Sequence, residues 1–243
     1  MEESQASPQH PRVATVRAHK SRLHYSPVGL LVAMILILMI TPFGSELPDG
    51  DLVEACCLSI IMVSAVLAVG AERRSLWVAI LLAIPAFGGK WINHFRPDLV
   101  PAPVFLGAAV LFVLYVGWHL LRFILRAPRV DVSVICAAIS IYIMLGFIWA
   151  IAYALVNKSS PNSFAFNAGA PASQTLDGFT AFYFSMCTLT TVGYGDIAPV
   201  SRPVRMLAVM ESGTGVFYVT ILIARLVTLY SRFSSEKTGG EEG

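Results

Sequence analysis

The sequence predicts an all-α integral membrane protein, and three observations carry that expectation. Hydrophobic residues make up 56% of the 243 positions and charged residues only 13%, whereas soluble domains are about 45–50% apolar and about 25% charged. Mean hydropathy is +0.70. The apolar residues also fall in runs that approach the roughly 20 residues a helix needs to cross the hydrocarbon core. This balance excludes an ordinary soluble protein. The net charge of +2, with basic residues scattered along the chain, leaves no footprint for a nucleic-acid partner.

The elements follow in order. Residues 1–26 are polar, contain Pro8, Pro11, Arg12, Arg17, Lys20 and Arg22, and are expected to be a disordered cytoplasmic segment. Its basic residues read first as a topology signal and second as contacts for anionic lipid. The first apolar run, about 27–43, ends in Thr41-Pro42-Phe43-Gly44-Ser45 without a small-residue cleavage site, so it is expected to stay as a helix. Further spans are expected at about 52–70, 74–90, 102–126, 131–155 and 203–231, the third being short and interrupted by Pro85. That makes six. The last, at 1.5 Å per residue, would be about 43 Å long, so tilt or a bend is expected. A seventh apolar stretch, about 175–189, is too short and polar to cross and reads as a re-entrant helix surrounded by protein or a water-filled cavity. Residues 233–243 form a short tail, expected to be disordered and cytoplasmic. The cysteines, Cys56, Cys57, Cys136 and Cys187, all lie in apolar runs, where a thiol usually acts as a small hydrophobe; neither a disulfide nor a metal site is expected.

Lysine and arginine set the orientation. With the N-terminus inside, the inner segments hold Arg12, Arg17, Lys20, Arg22, Arg73, Arg74, Arg122, Arg126, Arg129, Arg225, Arg232 and Lys237. The outer ones hold Lys90, Arg96, Lys158, Arg202 and Arg205. Both termini are therefore expected in the cytoplasm, with the 156–202 connection outside. A bacterial inner membrane is the expected location, although Asn157-Lys158-Ser159 would be a glycosylation sequon in a eukaryotic host.

The most specific feature is Thr188-Leu189-Thr190-Thr191-Val192-Gly193-Tyr194-Gly195-Asp196. It contains the Thr-Val-Gly-Tyr-Gly string with which four loops around an axis present rings of backbone carbonyls to K⁺. Inward carbonyls on successive residues require alternating backbone conformations that include positive φ. Gly193 and Gly195 stand where glycine adopts these at little steric cost. The context agrees, with a short helix before the string, an outer loop around it and a span on each side. Thr175 can cap the preceding helix and Asp177 lies in its first turn. The helix would aim the negative end of its dipole at a cation.

From Val130 to about Arg232 the chain resembles the two-helix pore domain of prokaryotic potassium channels. The resemblance rests on Phe182-Tyr183-Phe184-Ser185, on Thr188 through Asp196 with Pro199, and on Leu207-Ala208-Val209-Met210-Glu211-Ser212-Gly213-Thr214-Gly215. It implies a selectivity filter at Thr191, Val192, Gly193, Tyr194 and Gly195. K⁺ would be held by the carbonyls of the first four and by the Thr191 hydroxyl. Thr190, Asp196 and Tyr183 would support the filter, with Asp196 behind the outer mouth. Tyr183 and Phe184 stand where many family members have tryptophans, and Cys187 where some have a glutamate. The buried carboxyl pair that tunes inactivation in those relatives therefore cannot form, although Tyr183 can still reach Asp196. Tyr194 speaks for selectivity, since non-selective relatives have aspartate there.

Gly215 aligns with the family's gating bend, and Gly213 lies beside it; close helix packing is an equal reading of both. Glu211 is an ionisable residue within a span and hence a functional candidate. It can face the central cavity or pair behind the filter. One filter segment per chain implies a homotetramer. No cofactor is expected beyond K⁺ as permeant ion; the partners are three further copies and membrane lipids.

Six spans with the pore last is the layout of voltage-gated channels, yet residues 103–121 hold no Lys or Arg. Arg122, Arg126 and Arg129 cluster at the inner end, as snorkelling anchors do. The expected organisation is 1–26, a four-helix scaffold or sensor-like domain over 27–129, a pore domain over 130–232 and the tail. The expected function is passive, K⁺-selective conduction with weak or absent voltage gating. A voltage-gated channel with a reduced sensor and a non-conducting regulatory subunit are the alternatives. His119 reads first as a hydrogen-bonded interior histidine and second as a proton sensor. An intramembrane serine protease finds little support. Met210 replaces the glycine expected two residues before Ser212, and the available histidines, His94 and His119, lie on distant helices. The expectation is a channel and not an enzyme.

Overall fold

A computed structural model describes residues 27–44, 50–69, 73–95, 102–167, 176 and 178–239. The N-terminal segment lies outside these residues, as do Thr175 and Asp177, on which the cap and first turn of the short helix were placed. The order is α1 (Pro27–Gly44), α2 (Gly50–Val69), α3 (Arg73–Phe95), α4 (Ala102–Arg126), α5 (Val132–Ser159), β1 (Phe164–Phe166), α6 (Gly178–Leu189), β2 (Ile197–Pro199) and α7 (Arg202–Gly239).

Among the described residues three helices are long and apolar enough to cross a membrane: Pro103–Arg126, Val132–Ser159 and Arg202–Thr228. Pro27–Phe43, Leu58–Val69, Arg74–Gly89 and Gly178–Leu189 are shorter apolar helices. The chain is thus an integral membrane protein built of helices. Two boundaries differ from expectation. α3 passes through Pro85 and continues to Phe95; a proline costs one ladder hydrogen bond, and neighbouring helices can tolerate the kink inside a membrane. α7 runs on to Gly239 through most of the expected tail, extending the hydrogen-bond ladder already nucleated by the span.

α1 to α4 pack into a bundle and share one core with α5. Leu30 and Met34 of α1, Ala65 and Val69 of α2, Ala79 of α3, and Phe112, Val116 and Leu120 of α4 meet Val134, Ala137, Ala138 and Ile141 of α5. α5 starts cleanly because Asp131 caps it, its carboxylate accepting from the Val134 N–H at 3.0 Å. The outer faces of the bundle are apolar too, with Leu36, Met39, Trp77, Leu81, Leu111 and Trp118 exposed. Such a surface is costly in water, at about 25 cal/mol per Å², and suits lipid.

A second core joins α5, α6 and α7 to a two-stranded ladder that sequence reading assigned to a loop. Phe164 pairs with Pro199, Ala165 with Ala198 and Phe166 with Ile197, antiparallel. Tyr153, Phe164 and Phe184 meet edge-on, with ring centroids 5.0 to 5.8 Å apart, and Ile197 and Val204 complete the cluster. This aromatic knot fixes the C-terminal end of α5 against the segment between α6 and α7.

Candidate functional site

α6 descends and the chain turns back at its C-terminus, where four carbonyls of the last turn lack helical partners. Each finds one. Met186 O accepts from the Thr190 N–H at 3.0 Å and the Thr190 hydroxyl at 2.7 Å. Cys187 O accepts from the N–H groups of Val192 at 2.9 Å and Gly193 at 3.1 Å. Thr188 O accepts from the Thr191 N–H at 3.0 Å and from Ser212 Oγ of α7 at 3.0 Å. Leu189 O accepts from Tyr142 Oη of α5 at 3.0 Å. The return strand is therefore hung on the end of α6, and both long helices grip the same turn.

Beyond this turn, left-handed backbone recurs at every second residue: φ is +60° at Thr191, +53° at Gly193 and +77° at Gly195. Alternation of this kind turns successive peptide planes over and brings their carbonyls to one side. The two glycines stand where sequence reading put them. Thr191 was missed: a β-branched residue rarely adopts positive φ, and its cost is about 1–2 kcal/mol. The two-residue period running back from Gly195 and Gly193 was the signal that could have found it.

The far end of this segment is braced by side chains. Tyr183 Oη donates to Asp196 Oδ2 at 2.9 Å, as expected, and the Tyr183 and Tyr194 rings are parallel with centroids 6.5 Å apart. A second brace was not foreseen. Asn167, at the end of β1, donates its backbone N–H to Asp196 O at 2.8 Å and its side-chain Nδ2 to Gly195 O at 2.6 Å. The Gly195 carbonyl is thus engaged by the protein. Replacing Asn167 by alanine removes a hydrogen bond worth about 0.5–1.5 kcal/mol. The expected result is a current that decays faster in low external K⁺, read from single-channel dwell times.

The three gating candidates separate. Gly213 has open space around it, the nearest atom to an added Cβ being in the Phe217 ring at 4.0 Å, whereas a Cβ on Gly215 would run into the Leu189 carbonyl. Gly215 is therefore used for close approach of α7 to the end of α6, and α7 is helical throughout this region. Gly146 does the same for α5, where an added Cβ would lie 2.6 Å from Met186 Sδ. Glu211 has no exposed surface. Its Oε2 accepts from Tyr153 Oη at 2.5 Å, and its Oε1 lies 2.5 Å from Ser185 Oγ. Glu211 is therefore turned toward α5 and α6, paired with Tyr153 and Ser185.

Arg205 ties down the N-terminal end of α7, its Nε donating to Pro199 O at 3.1 Å. At the other end Arg225 Nη2 donates to the carbonyls of Ile124 and Leu125, closing the C-terminus of α4. This tie between α7 and the four-helix bundle was not read from the sequence. Arg122, Arg126 and Arg129 gather at that same end of α4, beside a cavity of about 580 Å³ that His119 and Asp131 also line. Arg122 sits over the Trp118 ring. His119 is a hydrogen-bonded residue, its Nε2 being 3.2 Å from Ser75 Oγ. Cys56, Cys136 and Cys187 are free thiols. Among the described residues no group of three or more His, Cys, Asp or Glu is placed to hold a metal ion.

A short helix, a return segment with left-handed backbone at every second residue and two long helices closing on the turn together form one compact unit. Residues 132–232 match the family of ion channels. Similar stretches occur in two-pore potassium channel 4 of Arabidopsis thaliana, 44% identical over 48 residues, or 20% of this chain and 17% of that protein. The calcium-gated potassium channel TvoK of Thermoplasma volcanium is 36% identical over 67 residues, or 28% and 19% of the two chains. The voltage-gated potassium channel Kch of Escherichia coli is 58% identical over 40 residues, 16% and 10%. The matched regions thus span less than a fifth of each of these relatives. No solved structure matches the chain significantly. Residues 132–232 are thus similar to ion channels, and stretches of the chain to potassium channels, and the comparisons indicate a channel and not an enzyme.

Proposed function

We propose that the chain forms a passive, K⁺-selective channel as a homotetramer, with the carbonyls of Thr191, Val192, Gly193 and Tyr194 and the Thr191 hydroxyl as the ion ligands. The observation that carries this reading is the left-handed backbone at Thr191, Gly193 and Gly195. Carbonyl rings replace the hydration shell of K⁺ only when four such strands face one axis. A tetramer is favoured further by the single chain's exposure of Val192, Tyr194, Met206, Val209, Met210 and Phe217, an apolar filter and inner-helix face that three more copies would cover. Residues 130–232 act as the pore unit, residues 27–129 as a scaffold around it, and both termini lie on the cytoplasmic side of an inner membrane.

Gating is expected to depend little on voltage. Steep dependence requires 3–4 charges per subunit to cross the field, and Arg122, Arg126 and Arg129 all stand at one end of α4. The test is the reversal potential of purified protein in a planar bilayer, with K⁺ on one side and Na⁺ on the other, stepped through voltage. The expected result is reversal near the K⁺ equilibrium potential and an open probability nearly flat in voltage. Reversal near zero would defeat the selectivity reading, and steep activation would favour the reduced-sensor alternative.

A further inference from the structure

We infer that Glu211 works as a neutral carboxylic acid, the central link of a one-way hydrogen-bond chain that positions α6, and with it the filter, between α5 and α7. The inference deepens the channel reading and rests on it for the role of α6.

The proton count makes the case. Ser185 Oγ lies 2.8 Å from Gly146 O and 2.5 Å from Glu211 Oε1. A serine hydroxyl has one proton to give, and a backbone carbonyl can only accept. Were Glu211 a carboxylate, both neighbours of Ser185 would be acceptors, and a single proton would leave one short oxygen–oxygen contact without a hydrogen. With the proton on Oε1, every contact is served. Tyr153 Oη donates to Oε2, Glu211 Oε1 donates to Ser185 Oγ, and Ser185 donates to Gly146 O. A separation of 2.5 Å is also found for charge-assisted bonds, so the distance does not decide the state; the count of donors does.

Burial points the same way. Glu211, Tyr153 and Ser185 have no exposed surface, and both hydrogen-bond partners of the carboxyl are uncharged hydroxyls. An isolated ionised carboxylate taken out of water costs several kcal/mol even after the protein relaxes, and four would stand around one pore. The chain starts at Tyr153 on α5, passes through Glu211 of α7 and Ser185 in the middle of α6, and ends at the Gly146 carbonyl on α5. Tyr153 also belongs to the aromatic cluster that holds β1 and β2, which carry the outer brace of the filter.

The experiment is infrared spectroscopy of the reconstituted tetramer at neutral pH, with single-channel recording of the same samples. The wild type is expected to show the carbonyl-stretch band of a protonated carboxylic acid, and Glu211→Gln to lack it. Gln keeps an acceptor for Tyr153 and a donor for Ser185, with one further N–H, so Glu211→Gln is expected to retain open times near those of the wild type. Glu211→Leu and Ser185→Ala, which break the chain, are expected to shorten open bursts several-fold. A wild-type spectrum without the band, or a Gln variant that behaves like the Leu variant, would overturn the inference. Because the band is read without current, failure of the channel reading and failure of the proton assignment give different results.

Discussion

Substitution of Gly193 by alanine is expected to abolish K⁺-selective current in a tetramer that still assembles. Gly193 has φ +53°, and within the chain nothing lies within 4 Å of an added Cβ, so the expected damage is conformational and not steric crowding. An L-residue with a Cβ pays about 1–2 kcal/mol to hold the left-handed region. Four copies around one axis bring the total to about 4–8 kcal/mol, comparable with the net stability of a whole domain. The strain is relieved by rotation of the peptide planes beside residue 193, which turns carbonyls away from the ion path. The contacts that hold α5, α6 and α7 together do not involve Gly193, so assembly should persist. Gly107 of α4 also has open space but ordinary helical φ, and Gly107→Ala is the control expected to conduct as wild type. Reversal potentials and tetramer mass measure both effects. A Gly193→Ala channel that still reverses at the K⁺ equilibrium potential would show that the left-handed turn is not needed for selectivity.

How far the sequence revealed this site depended on the range of the interaction. Gly193 and Gly195 were legible because positive φ leaves a mark on residue type, and the Tyr183–Asp196 hydrogen bond because both residues lie in stretches that carry the resemblance to one pore domain. Asn167 was not legible. It meets Gly195 and Asp196 only because Phe164–Phe166 pairs with Ile197–Pro199, and three-residue strands in a long connection leave almost no periodic signal. Glu211 was visible as a charge in a span, but its side of the helix was not, since α7 is apolar nearly all round. Arg225 carried a topology signal, while its contact with the end of α4 joins residues about a hundred positions apart. The helices themselves were read within a few residues, except where α3 crosses Pro85 and α7 outlasts its apolar run.

Gly215 and Gly213 stand two residues apart on α7, and alanine at the two positions is expected to act in opposite directions. At Gly213 an added methyl meets only the Phe217 ring, at 4.0 Å. Alanine is there favoured over glycine by about 0.8–1.0 kcal/mol in a helix interior, so Gly213→Ala should melt at or slightly above wild type and conduct normally. At Gly215 the methyl would strike the Leu189 carbonyl oxygen and press on its carbon. Backbone cannot rotate aside as a side chain can. That carbonyl is also held by Tyr142, and the preceding one by Ser212 of the same helix α7, so the turn has little room to retreat. Overpacking of this kind costs about 1–3 kcal/mol per site, repeated in each of four subunits. Gly215→Ala is therefore expected to lower the melting temperature of the tetramer clearly and to reduce current at every voltage, because displacement of Leu189 moves the start of the return strand. A hinge without a packing role gives a different pattern: the tetramer would melt as wild type and only the open probability would fall. Thermal unfolding followed by single-channel recording on the same two variants separates the outcomes, and normal stability of Gly215→Ala would return the residue to the role of a bend.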